Sequence, residues 1–342
     1  MQSYLSNYAA ATELSNTKSE EPPVEDVVAS RAKLYIVVGL LVSVSSLMAT
    51  TVFFSSRVLR GKYVLFCALS VGDFINGVSV MIAGLFRYIF YKTGQYYITS
   101  TGVDCLIATP WVIPQIIAGQ FPTLINLSIL LERMVALHCV ALYRRSTNIK
   151  IYLIAASTIF TVVCTSLGAV AAFATNLVHT DRMCTMIGTT GPLFGTIHYG
   201  LIAITYLICF LRLLLTYSQL NSRRSPRTDE RLRQRMTISL SLISVLLVSI
   251  PNFVIVFDQW QFIKASAMVT GITYSLYAVH SGLSFFVYMY FFYDFRWRFF
   301  ELLGLTAMVP FLLRKNSDNP AIVSKFRSED IPAVFAKRTS KP

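Results

Sequence analysis

Seven stretches of this 342-residue chain, near 34–56, 63–86, 107–131, 151–175, 191–215, 237–257 and 266–292, are long, apolar and almost free of charge. About 20 such residues in a helix cross the hydrocarbon core of a bilayer. Lipid offers the backbone no hydrogen-bond partner, so each stretch is expected to be helical. Barrel strands would be shorter and would alternate with period two. Composition agrees: 54% of residues are hydrophobic and 14% charged, against about 25% charged in a soluble domain. The sequence therefore predicts an all-α membrane protein with seven transmembrane helices. A later apolar stretch, 302–313, is too short to span.

Loop charge orients the chain. With the amino terminus outside, the regions 55–62, 132–150, 212–236 and from 293 onward face the cytoplasm. They carry three, four, seven and nine Lys and Arg residues, together 23 of the 30. Positive charge gathers on the cytoplasmic side of membrane proteins, so N-out, C-in is the consistent choice. The net charge of +13 is then a topology signal beside an anionic leaflet, and no nucleic-acid partner is expected. The first thirty residues hold Glu13, Glu20, Glu21, Glu25 and Asp26 and no apolar core, so no cleavable leader is expected. The predicted organisation is an extracellular segment over 1–33, a bundle over 34–304 and a flexible cytoplasmic tail over 305–342.

Asp73 is the one Asp, Glu, Lys or Arg deep inside a window. A carboxylate there is costly unless paired, hydrated or protonated. It is either a functional group or a neutral packing residue. Asn76 is one turn away, and His280, Ser281 and Ser284 on the seventh span are candidate partners. Cys105 and Cys184 both fall on the outer side, where disulfides persist. They either bridge, tying a loop over the mouth of the bundle, or remain two thiols. Cys67, Cys139, Cys164 and Cys209 read as packing residues.

Glu132 and Arg133 close the third span on its cytoplasmic side. An acid beside a base lowers the cost of holding a guanidinium at the hydrocarbon edge. The pair is either a two-state latch or an interfacial snorkelling pair. Histidines and cysteines are too scattered for a metal site, and no cofactor is expected. No nucleophile–base spacing suggests an enzyme.

Taken together, these features resemble the rhodopsin-like G-protein-coupled receptors over about residues 34 to 304. The stretch from Glu132-Arg133 through Ala136 to Tyr143 keeps the spacing of that family. Leu69 to Asp73 matches its Leu-x-x-x-Asp. Pro251 fits its span-six proline. Tyr288 followed by Phe295-Arg296 fits its span-seven tyrosine and the start of a short amphipathic eighth helix. "GDFING", "LLERMVAL" and "YFFYDFRWRF" resemble nematode serpentine chemoreceptors of the Srsx type. Departures are present too. Span one lacks the family's Asn. Ser249 stands where a Trp is usual, and Ser284-Phe285 where Asn-Pro is usual. Span five has no mid-helix proline, and Met134 replaces an aromatic. These losses put the usual toggle and sodium-binding network in doubt, with His280 as a stand-in cation near Asp73.

The resemblance implies a chemosensory receptor in the plasma membrane, sensory cilia included. It would bind a small-molecule or peptide ligand outside and activate a heterotrimeric G protein inside. The expected ligand residues are Gln115, Gly119, Asn252, Phe253, Val256, Tyr274 and Tyr277. Gln115 and Gly119 stack on one helix face, and Gly119 leaves room for close approach to the backbone. None of the seven is ionised, so a neutral or weakly polar ligand is expected. Asp73, Glu132, Arg133, Tyr143, Pro251 and Tyr288 are the expected activation residues, with Pro251 permitting a bend. A secondary transporter would favour internal repeats and broken helices, which the sequence does not display. A ligand-gated channel of chemoreceptor type would require the opposite orientation.

Overall fold

The computed structural model describes residues 24–139, 143, 148–175, 178–179, 182–223 and 228–305. In chain order the helices are α1 (Val24–Ser55), α2 (Arg57–Lys62), α3 (Val64–Lys92), α4 (Gly102–Ala108), α5 (Val112–His138) and α6 (Ile149–Thr175). They continue with α7 (Met186–Thr190), α8 (Pro192–Arg223), α9 (Thr228–Ser244), α10 (Ile250–Gln259), α11 (Ala267–Phe291) and α12 (Tyr293–Leu302). Two-residue strands β1 (Ser100–Thr101) and β2 (Val178–His179) pair antiparallel.

Six helical segments among the described residues are long and apolar enough to cross a membrane. They lie in α1, α3, α5, α6, α8 and the continuous run from α9 into α10. The seventh window is also one helix, α11, 25 residues long, but it falls short of the apolar content of the other six. The reason is that its face toward the other helices is polar: Thr273, Ser275, His280, Ser281 and Ser284 are all buried.

The helices pack in a closed order. α1 lies on α3, α3 on α5, α5 on α6 and α8, α8 on α10, α10 on α11, and α11 returns to α1. Glycines set the α1–α3 contact. A Cβ on Gly77 would lie 2.6 Å from the Ser43 nitrogen, and one on Gly84 2.8 Å from that of Ile36. Close approach through small residues is how helices associate without a hydrophobic drive between them.

α6 displays the logic of a lipid-facing helix. Its buried side is Ser157, Thr161, Gly168 and Ala172, with Ser157 and Ser128 sharing a 3.0 Å hydrogen bond. Its outer side exposes Ile159, Val162, Val163, Leu167, Val170 and Phe173. Small and polar residues inward with large apolar residues outward reverse the pattern of a helix in water. Exposed apolar surface on that scale needs a partner, and the bilayer is the one that surrounds every such helix.

Several expected boundaries move. α1 begins at Val24, not near residue 34, so part of the expected amino-terminal segment is helical and residues 1–23 lie outside the described residues. The third window is split, because Thr109 and Pro110 separate α4 from α5; a proline disfavours helix at the residue before it. α8 runs two turns past its window to Arg223. The expected tail lies outside the described residues from 306 onward.

The described residues 292–305 belong to a second unit. Its helix α12 carries an Arg298–Glu301 ion pair at 2.7 Å, and Tyr293 stacks on Trp297 with ring centroids 6.5 Å apart.

Candidate functional site

Cys105 and Cys184 form a disulfide with Cα atoms 5.4 Å apart. It joins α4 to the segment before α7 across 79 residues. In the chain-entropy account a loop of that length is worth about 4.5 kcal/mol. Thr101 caps α4 by a reciprocal pair of bonds: its hydroxyl accepts from the Asp104 N–H at 3.1 Å, and the Asp104 carboxylate accepts from the Thr101 N–H at 3.0 Å. These bonds hold the exposed Asp104 carboxyl below the usual carboxylate range. Cys184 adopts φ 44°, a conformation non-glycine residues rarely hold unless surroundings fix it. Here the disulfide fixes it, with Trp111 Nε1 donating to the Cys184 carbonyl at 3.2 Å.

Beneath this segment lies a partly open cavity. α1 contributes Tyr35 to its wall; α3 contributes Asn76, Val80, Ala83 and Arg87; α5 contributes Gln115 and Gly119. Met183, Thr185 and Met186 come from the disulfide segment, His198, Tyr199 and Ile202 from α8, Asn252 and Ile255 from α10, and Thr273, Tyr274 and Tyr277 from α11. Such concave, mainly apolar sites with a few polar groups are what small ligands occupy.

Five of the seven expected ligand residues sit on this wall: Gln115, Gly119, Asn252, Tyr274 and Tyr277. Phe253 and Val256 do not. Phe253 stacks on Phe257, with centroids 6.3 Å apart, and Val256 packs on the core around Trp111 and Ile255. Gly119 serves helix packing as well. A Cβ there would lie 2.7 Å from His198 Nε2, so the His198 ring takes the room expected for a ligand. Tyr277 donates to the Ala118 carbonyl at 2.6 Å.

Arg87 is the wall residue that sequence reasoning missed. It is 6% exposed. Its Nε donates to the Met183 carbonyl at 2.8 Å and its NH2 to that of Cys184 at 3.4 Å. Its guanidinium also lies over the rings of Tyr35 and Trp111, at 5.4 and 5.6 Å. The available signal was its place one residue past the 63–86 window.

In mid-bundle, Asp73 is buried, with the Ser281 and Ser284 hydroxyls acting on its carboxylate. Of the expected partners, Ser281 and His280 also have contacts of their own. Ser281 accepts from Asn76 Nδ2 at 2.9 Å. His280 Nε2 is 2.7 Å from Ser244 Oγ, and its ring meets the edge of Tyr206; it does not pair with Asp73. Ahead of Pro251 the chain forms a π-helical turn, Val245–Ser249, with the Ile250 N–H bonded to the Val245 carbonyl. Pro251 has no N–H to offer the carbonyl one turn back. Ser249 ties this turn to α8 through the Ala203 carbonyl at 3.0 Å. Tyr288 is fully buried against the rings of Phe53 and Phe66.

At the other end of α5, about 30 Å from Val112 along the axis, Glu132 is buried. It faces Arg133 Nε at 3.6 Å and Lys150 Nζ at 3.5 Å. Tyr143 donates to it at 2.8 Å. The Glu132–Arg133 contact and the presence of Tyr143 beside it match the residues singled out in the sequence; Lys150 was missed. Among the described residues no cluster of His, Cys, Asp or Glu is arranged to hold a metal.

No family model matches the chain, and no curated protein matches it.

Proposed function

We propose that this protein is a G-protein-coupled receptor of rhodopsin-like architecture, with α11 as the seventh span and α12 as the eighth helix. In this reading the amino terminus is extracellular, the carboxyl terminus cytoplasmic, and the receptor serves chemosensation at the plasma membrane, as in sensory cilia. One observation carries the proposal. A single helix, α5, has a disulfide-covered cavity at one end and a buried acid held by two cations and a tyrosine at the other. A π-turn followed by Pro251 lies in the run from α9 to α10, which packs on α8 and α11.

That arrangement suits a switch. Proline-linked and π-helical irregularities are where helices bend. A ligand that binds better to the bent conformer shifts the population toward it. Opening the Glu132 end frees Arg133 to meet an incoming partner helix of the G protein. Moving the population from 1:99 to 99:1 needs about 5.5 kcal/mol of differential affinity, more than one hydrogen bond and a modest apolar contact supply, so the G protein contributes to the coupling.

The test is ligand-evoked nucleotide exchange on a G protein reconstituted with the chain. Arg133→Ala should abolish it while leaving surface expression intact. Undiminished exchange would remove the latch role. A secondary transporter is the second reading, favoured by the buried Asp73 carboxylate in mid-bundle; substrate flux into proteoliposomes would support it. Ligand-evoked current without G protein would support a channel instead.

A further inference from the structure

The cavity wall is short of negative charge. Arg87 is buried on it, and its hydrogen bonds go to two neutral carbonyls. A guanidinium has five N–H donors, so most of its donor capacity is unused. Arg31, on α1, is 7% exposed, and its Nε has no hydrogen-bond partner. It lies against Gly271 and acts electrostatically on both Arg87 and Tyr274. Among the described residues no carboxylate pairs with either arginine, and no Asp or Glu lines the cavity.

Two further polar groups on the wall are buried without partners: the Tyr35 hydroxyl and Asn252 Nδ2. A buried unpaired cation is expensive, and so is each unsatisfied donor. The three of these that line the cavity, Arg87, Tyr35 and Asn252, can donate to one acceptor-rich occupant. Their positions give it a shape. Arg87 and Asn76 are 11 residues apart on α3, which is about 16 Å along the axis. Val80, Ala83, Ile202 and Ile255 supply apolar wall to the same cavity.

We propose that the cavity binds a small amphiphilic carboxylate, its charged group on Arg87 and its apolar body running along α3 toward Asn252. The planar fork of arginine matches a carboxylate through two parallel hydrogen bonds. Arg31 adds a second positive charge behind the first. The proposal rests on the reading of this cavity as the ligand site of a receptor, and it replaces the neutral ligand expected from the uncharged residues named in the sequence.

The experiment uses the full chain in nanodiscs. Saturable binding of straight-chain carboxylates from butanoate to dodecanoate is measured beside the matching alcohols and amines, with empty nanodiscs as the control. At least one carboxylate is expected to bind tenfold or more tightly than its alcohol, with no saturable binding of the amines. Arg87→Gln should remove that preference and Arg87→Lys restore part of it. Arg31→Gln, which breaks no hydrogen bond to the disulfide segment, should weaken carboxylate binding about threefold and keeps the test decisive where Arg87→Gln fails to fold. Carboxylates binding no better than their alcohols would overturn the proposal. So would a preference unchanged in both Arg87→Gln and Arg31→Gln, or a preference that appears only after the acidic residues of 1–26 are neutralised, since the chain would then supply its own anion. Nucleotide exchange is measured on the same samples. A carboxylate that binds without stimulating exchange counts against the receptor reading alone; a neutral ligand that stimulates exchange counts against the carboxylate alone.

Discussion

The two ends of α5 handle buried charge in opposite ways. At Glu132 the acid is enclosed by Arg133, Lys150 and Tyr143, so the charge is answered from within the chain. At the cavity, Arg87 meets carbonyls and aromatic faces, and no carboxylate among the described residues pairs with it. A closed charge cluster is stable by itself and costs free energy to open. An open one is completed by something that arrives. In the proposed receptor reading, the first end holds a resting state and the second senses.

The comparison is broken most severely by Cys184→Ser. Loss of the disulfide removes about 4.5 kcal/mol of loop-closure stabilisation and releases the carbonyls that hold Arg87. Surface expression should collapse, or ligand affinity should, while the Glu132 cluster keeps its contacts. A non-reducing mass map that found both thiols free would remove the premise.

Glu132→Gln attacks the other end. The cations Arg133 and Lys150 lose their anion, and basal nucleotide exchange should rise by up to about tenfold, or 1.4 kcal/mol. Exchange at the wild-type level would mean the cluster only packs. Ser249→Ala acts between the ends. It deletes one neutral hydrogen bond to α8, worth about 1 kcal/mol, and should shift the agonist concentration for half-maximal exchange by about fivefold without altering expression.

The smallest effect concerns acid. The Asp104 carboxyl is held below its usual range by Thr101. A group with a depressed folded-state value contributes stability above the ordinary carboxylate range and loses it as pH falls through the depressed value. Protection factors of the α4 amides, corrected for the intrinsic exchange rate at each pH, should therefore be lower in acid than at neutral pH. Asp104→Asn should flatten that dependence.

What the sequence made legible was what depends on local composition. The apolar windows marked the helices because spanning length and lack of charge are properties of short stretches. Cys105 and Cys184 stood out by sharing the outer side, and Glu132 by following an apolar run. Arg87 was hidden for a physical reason: an arginine at the end of a span ordinarily snorkels to the headgroups, and only the packing of the disulfide segment turns it inward. Lys150 begins a different helix, so its approach to Glu132 is a tertiary fact. Phe253 and Val256 were named, with Asn252, only because they follow Pro251. A π-turn inserts extra chain ahead of that proline and changes which face of α10 meets the cavity. The α11 helix shows the converse: polar residues that lower its hydropathy are the ones it buries in the bundle.

The most direct measurement is of topology in intact cells, with one epitope at the amino terminus and another inserted at 224–227. The account predicts that the first is stained without permeabilisation and the second only after it. An amino terminus reached only from the cytosol would put the cavity and the Glu132 cluster on the wrong sides of the membrane and contradict the receptor reading.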